Sequence, residues 1–139
     1  MMRLLMAVLA IGICINIQRV QQTPINLSLF DKIPVEIDGC GHYYTYGSLD
    51  YRKSKYVFIT NLQGLAFVRI NGEQILLKQT NDKHTKASIY KGEGYTVVED
   101  TKTVKQTGDE VWLSRGTLKV IRQSDKQEIL IWIHGEGGC

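Results

Sequence analysis

Proline is nearly missing from this chain of 139 residues: both prolines, Pro24 and Pro34, precede residue 35. Nothing downstream is therefore interrupted by a residue that cannot donate to a ladder. Helical hydrophobic periodicity is also missing after residue 30, which argues against amphipathic helices in the body of the chain. There is no block of like charge. Lysines and arginines alternate with acids and the formal net charge is +3, too little for a nucleic-acid partner. No G-x-x-x-x-G-K-[ST], H-E-x-x-H or G-x-S-x-G occurs, which removes the usual phosphate-loop, zinc-protease and hydrolase signatures. "GEG" at 92–94 and "GEGG" at 135–138 do not join a strand to a helix, so tight turns are expected at both. No catalytic residue, cofactor or enzymatic activity is assigned. Internal repeats and low-complexity segments are absent.

A long hydrophobic run is missing, but a short one is present. After Met1-Met2-Arg3 comes "LLMAVLAIGICI", residues 4–15, without a charge. A bilayer-spanning helix needs about 20 apolar residues, whereas a secretory signal core needs about 7–15. We therefore expect a signal peptide over 1–17, cleaved between Gly12 and Gln22, and a periplasmic or secreted protein with no transmembrane span. Removal of Arg3 lowers the formal charge by one. A lipid anchor on Cys14 is not expected, because Ile13 fills the position where a small residue precedes an acylated cysteine. Residues 18–34 read as an extended lead-in and 35–139 as one domain.

What remains is rich in short β-branched and aromatic runs. The hydrophobic fraction of 43% and charged fraction of 22% are those of a globular protein. Candidate strands are 55–60, 65–70, 73–80, 87–90, 95–100, 103–107, 111–114, 117–123 and 128–134. Asn71-Gly72 is the clearest turn, since both residues tolerate the positive φ of a type I′ hairpin. It sets Ile70 opposite Glu73, Val68 opposite Ile75 and Ala66 opposite Leu77 on one face, with Phe67 opposite Leu76 on the other. Gly108-Asp109 would pair Gln106 with Val111, and a turn around Asp125-Lys126 joins the last two strands. The fold class is all-β: a small antiparallel meander barrel, or a two-layer sandwich, of about eight strands. The barrel is preferred because closure removes sheet edges.

Cysteine is scarce. With Cys14 in the signal segment, Cys40 and Cys139 remain. In an oxidising compartment two thiols of one domain pair, here across a loop of about 100 residues, worth about 4–5 kcal/mol in the chain-entropy account. The alternative is a zinc or copper site from Cys40, His42, His134 and Cys139, whose residue types suit a soft metal although C-x-H and H-x4-C are not a familiar framework. The disulfide is the expectation, with His42 and His134 as neighbours of the bond. His84, in "NDKHTK", reads as solvated.

Tyrosine is concentrated: Tyr43, Tyr44, Tyr46, Tyr51 and Tyr56 fall close together. They suit an interface, but ordinary strand tyrosines are the commoner case. Trp112 and Trp132 read as core or core-edge residues.

The segments "DGCGHYYTY", "AFVRINGEQILL", "GYTVV", "TGDEVWLSRGTLKV" and "IHGEGGC", in that order, resemble small exported proteins of Gram-negative envelopes. Ile70-Asn71-Gly72, "SIYKG" (Ser88 to Gly92) and "WLSRG" (Trp112 to Gly116) also resemble the periplasmic or membrane-bound C-type lysozyme inhibitors. Ser88 lacks the glycine that follows it there, Tyr90 comes early, and Arg115 stands in place of a lysine. The resemblance implies a small antiparallel barrel, and it adds Ser88, Tyr90, Lys91 and Arg115 to the clustered Tyr43, Tyr44, Tyr46 and Tyr51 as a candidate binding surface. The expected function is an exported, non-catalytic binding module whose loops meet a partner, a protein being one candidate, in the envelope or outside the cell. Lysozyme inhibition, and a small ligand or metal held at the Cys/His ends or a barrel mouth, are the alternatives.

Overall fold

Asn71 (φ 50°) and Gly72 (φ 84°) adopt the left-handed backbone that a two-residue hairpin demands. The flanking register is the expected one, with Ile70 opposite Glu73, Phe67 opposite Leu76 and Ala66 opposite Leu77. A similar turn at Glu93 (φ 48°) and Gly94 (φ 85°) sets Gly92 opposite Tyr95. The computed structural model describes residues 22–46, 55–80 and 85–139; the expected signal peptide, Cys14, Tyr51 and His84 lie outside them. In chain order the strands are β1 (Leu27–Ser28), β2 (Gly41–Thr45), β3 (Phe58–Asn61), β4 (Leu65–Ile70), β5 (Glu73–Gln79), β6 (Ser88–Gly92), β7 (Tyr95–Gly108), β8 (Val111–Arg122) and β9 (Glu128–Gly138). Among the described residues there is no helix, and so none long and apolar enough to cross a membrane.

Every pairing is antiparallel, and β2 to β9 follow one another around a closed ring of eight strands. The ring closes where β2 meets β9, from Gly41 opposite Gly138 to Thr45 opposite His134. Closure settles barrel against sandwich. The interior holds Val57, Phe58, Val68, Ile75, Leu77, Val97, Leu118, Val120 and Ile133, all buried.

β1 is the extra strand. It pairs with Arg69 and Ile70 of β4, beyond the stretch of β4 that β3 covers. The chain on either side of it forms a strap across the outside of the wall. Phe30 and Ile37 cover Ile59 and Phe67, which point out of the barrel, and Tyr43, Tyr56 and Leu65 pack around them. Arg69 ties the strap to the hairpin through Leu29 O at 3.0 Å, Asp31 Oδ2 at 3.0 Å and Gly72 O at 3.1 Å. The lead-in is thus extended but packed, and it buries a second, smaller apolar cluster.

Several expectations change. Residues 95–100 and 103–107 are one strand, as are 111–114 and 117–122; register shifts between Thr103 and Lys105 and between Gln106 and Gly108 absorb the irregularity. These bulges move the turn by one residue, to Asp109 and Glu110, and place Gln106 opposite Trp112. Gly41–Thr45 is a strand that the sequence reading passed over. "GEGG" at 135–138 is the end of β9, not a turn. Glycine is needed there for close approach, since a Cβ on Gly135 would lie 1.9 Å from the Tyr43 carbonyl oxygen. Trp132 is 76% exposed, not core, because Ile131 and Ile133 take the inward positions of β9 and strand alternation sends Trp132 out.

Candidate functional site

Inward-facing residues recur every second position along a strand. Followed in one direction, they change character at a common level. On β7, Val97 gives way to Glu99, Thr101 and Thr103; on β3, Phe58 to Thr60; on β5, Leu77 to Gln79; on β6, Tyr90 to Ser88; on β2, Tyr44 to His42. On β8, Leu118 is followed inward by Gly116 and then Ser114. One end of the barrel is therefore filled with aliphatic side chains. The other opens as a cavity of about 290 Å³ lined by hydroxyl, amide, imidazole and carboxylate groups.

Glu99 lies at the floor of this mouth and is 7% exposed. Its carboxylate accepts hydrogen bonds from three hydroxyls: Tyr44 and Thr101 (3.2 Å) on Oε1, and Tyr90 (3.2 Å) on Oε2. Thr101 Oγ1 is also 3.3 Å from the Tyr44 hydroxyl. Burial, reinforced by the charge of Glu99, holds both tyrosine hydroxyls well above their usual pKa, so they remain donors. Phe58 stacks with Tyr44 (ring centroids 6.1 Å apart), meets Tyr90 edge-on at 5.5 Å, and divides the aliphatic end from the mouth. On the opposite wall His42 Nδ1 is 3.5 Å from Thr60 Oγ1. The His42 ring occupies the space above Gly137, where a Cβ would lie 1.9 Å from it.

Comparison with family models, curated proteins and solved structures finds no match. The residues themselves carry the functional reading.

Cys40 and Cys139 are bonded, with Cα atoms 4.1 Å apart, just past the β2–β9 pairing. The bond sits at the rim of the mouth and staples the seam that closes the ring. Glycines 41, 137 and 138 lie beside it in closely approaching strands, whereas Gly39 serves a positive φ of 78°. The expectation that His42 and His134 lie together beside the bond fails. His42 is opposite Gly137 and faces the cavity, while His134 is opposite Thr45 on the outer side of the wall. Four residues of which two are bonded to each other and two face opposite sides do not form one ligand set.

The tyrosines also divide. Tyr44 and Tyr90 are buried inside. Tyr43 packs outside, 5.2 Å from the Tyr56 ring under the strap, and Tyr46 is 39% exposed with its hydroxyl donating to Leu27 O. Ser88 lines the mouth, whereas Lys91 and Arg115 are exposed on the outside. The residues suggested by the inhibitor resemblance therefore sit on two faces of the wall. Glu99, Thr60, Thr101 and Ser114 were not singled out from sequence; the available signal was the period of two from Val97 to Glu99 and Thr101.

Proposed function

We propose that this chain is an exported, non-catalytic binding protein that holds a small, polar, hydrogen-bonding ligand in the mouth of its barrel. One observation carries the reading: the inward positions of six strands turn polar at one level around Glu99. Buried polar groups stabilise a fold only when satisfied, and aliphatic residues fill the other end without that requirement. Concave sites with convergent polar groups are the usual places for small ligands. Among the described residues the lining holds one carboxylate, where glycoside hydrolysis by acid and base uses a pair, so binding is favoured over catalysis. The disulfide suits an oxidising compartment, in keeping with the short hydrophobic run at the N-terminus.

The test is a ligand screen by amide chemical shifts with neutral sugars, polyols, amines and amino acids. Binding should move Ser88, Tyr90, Thr101 and Ser114 and leave Val120 and Ile75 unmoved. Shifts confined to the outer wall, or to exposed loops, would overturn the assignment of the mouth.

A further inference from the structure

The charge of the mouth is set by very few groups. Among the described residues, Glu99 is the single carboxylate that lines the mouth, and neither lysine nor arginine lines it. Among the described residues no lysine or arginine pairs with Glu99, and its hydrogen-bond donors are hydroxyls. Hydroxyl donors satisfy a buried carboxylate in part, but they do not offset its charge. An ionised carboxylate accepts about four hydrogen bonds. Oε1 takes two of the three protein donors and Oε2 takes one, so the remaining capacity is on Oε2.

These features select by charge. An anionic ligand would meet the carboxylate without a compensating cation. A neutral ligand could use the hydroxyls alone. A cationic ligand would add a charge-assisted bond, roughly twice as strong as a neutral one, in a place largely screened from water. Among the other lining groups, His42 brings an imidazole, and Thr60, Ser88, Thr103 and Ser114 can donate or accept and so match ligand hydroxyls. The cavity of about 290 Å³ has the liquid volume of about ten waters, enough for a ligand of monosaccharide size.

Resting on the assignment of the mouth as a binding site, we infer that its ligand is a small hydroxylated amine whose ammonium group donates to Glu99 Oε2 while its hydroxyls meet the threonines and serines of the rim. Selection against carboxylated analogues follows from the same group.

Three probes of one size test this: D-glucosamine, D-glucose and D-glucuronate, titrated into the purified protein at neutral pH and followed by amide shifts. Glucosamine should bind at least about tenfold more tightly than glucose, and glucuronate should bind most weakly. Glu99→Gln should bring glucosamine to the level of glucose. The comparison of the three sugars needs no variant, so it decides the matter even if Glu99→Gln misfolds. Equal binding of glucose and glucosamine at the mouth would overturn the ammonium inference and leave the mouth as a site for neutral ligands. No mouth shifts with any of the three would overturn the inference as well, and failure of the wider screen would then remove the site itself.

Discussion

The two ends of this barrel are built from the same strands and follow opposite rules. At one end Val68, Ile75, Val97 and Val120 interlock with no polar atom among their side chains. At the other, Glu99 and its hydroxyl partners occupy equivalent inward positions and make directional bonds. The aliphatic end needs only volume and shape. The polar end needs every donor and acceptor matched, and among the described residues no buried side-chain polar atom lacks a partner. The difference teaches that one end of the barrel is packed by shape and the other by matched hydrogen bonds.

If that division is right, damage to the aliphatic end should cost stability and spare binding. Leu77→Ala should destabilise by about 2–5 kcal/mol, read by urea unfolding, while glucosamine affinity changes less than about twofold. A comparable loss of affinity in the folded variant would break the division. The disulfide tests the rim. Replacing Cys40 and Cys139 together by serine should cost roughly 2–5 kcal/mol, and non-reducing peptide mapping of the parent should recover the two cysteines linked.

Alkaline pH bears most heavily on the polar end, although burial also raises the pKa of Tyr43 and Tyr46 on the outer wall. Tyr44 and Tyr90 have raised pKa values in the fold. Below about pH 9 they are protonated in both folded and unfolded chains, and their contribution is fully present. Above about pH 10 the unfolded chain loses these protons while the folded chain keeps them, so stability falls by up to about 1.4 kcal/mol per pH unit for each tyrosine. Tyr90→Phe should flatten that slope. An unchanged slope in this variant would remove Tyr90 as its source.

The outer wall gives the smallest effect. Trp132 and Leu130 are bare on β9, whereas Ile59 and Phe67 lie under the strap. Trp132→Ser should alter stability by less than about 0.5 kcal/mol, while Phe67→Ala, a substitution under the strap, should cost about 3–5 kcal/mol. Equal effects at the two positions would show that Trp132 is covered in solution.

Local chemistry made the hairpins legible. Asn71-Gly72 fixed a turn type, the turn type fixed a register, and the register fixed which of Ala66 and Phe67 faces inward. The disulfide was legible because few cysteines had to be paired. Trp132 was not legible, because Ile131 and Ile133 alternate with Leu130 and Trp132 and an alternating run does not reveal which set faces in. The mouth was hidden for a related reason. Glu99 meets Tyr44 from β2, far away in sequence, and only closure of the ring brings them together. β2 itself was passed over because its tyrosines serve opposite faces and its glycine looks like a turn residue.

The seam between β2 and β9 has a consequence for how the molecule is made. Most strands pair with the next in sequence, a local event, but this seam joins Gly41 to Gly138. Non-local pairings of this kind slow folding, because the chain loses its loop entropy before the contact forms. Until then the meander is an open ribbon with two unpaired edges, each able to accept a strand from another molecule. Oxidation of Cys40 and Cys139 after those edges meet locks the closed ring. Slow, concentration-sensitive refolding after reduction, with the thiols disappearing last, is the kinetic signature of such a late-closing ring.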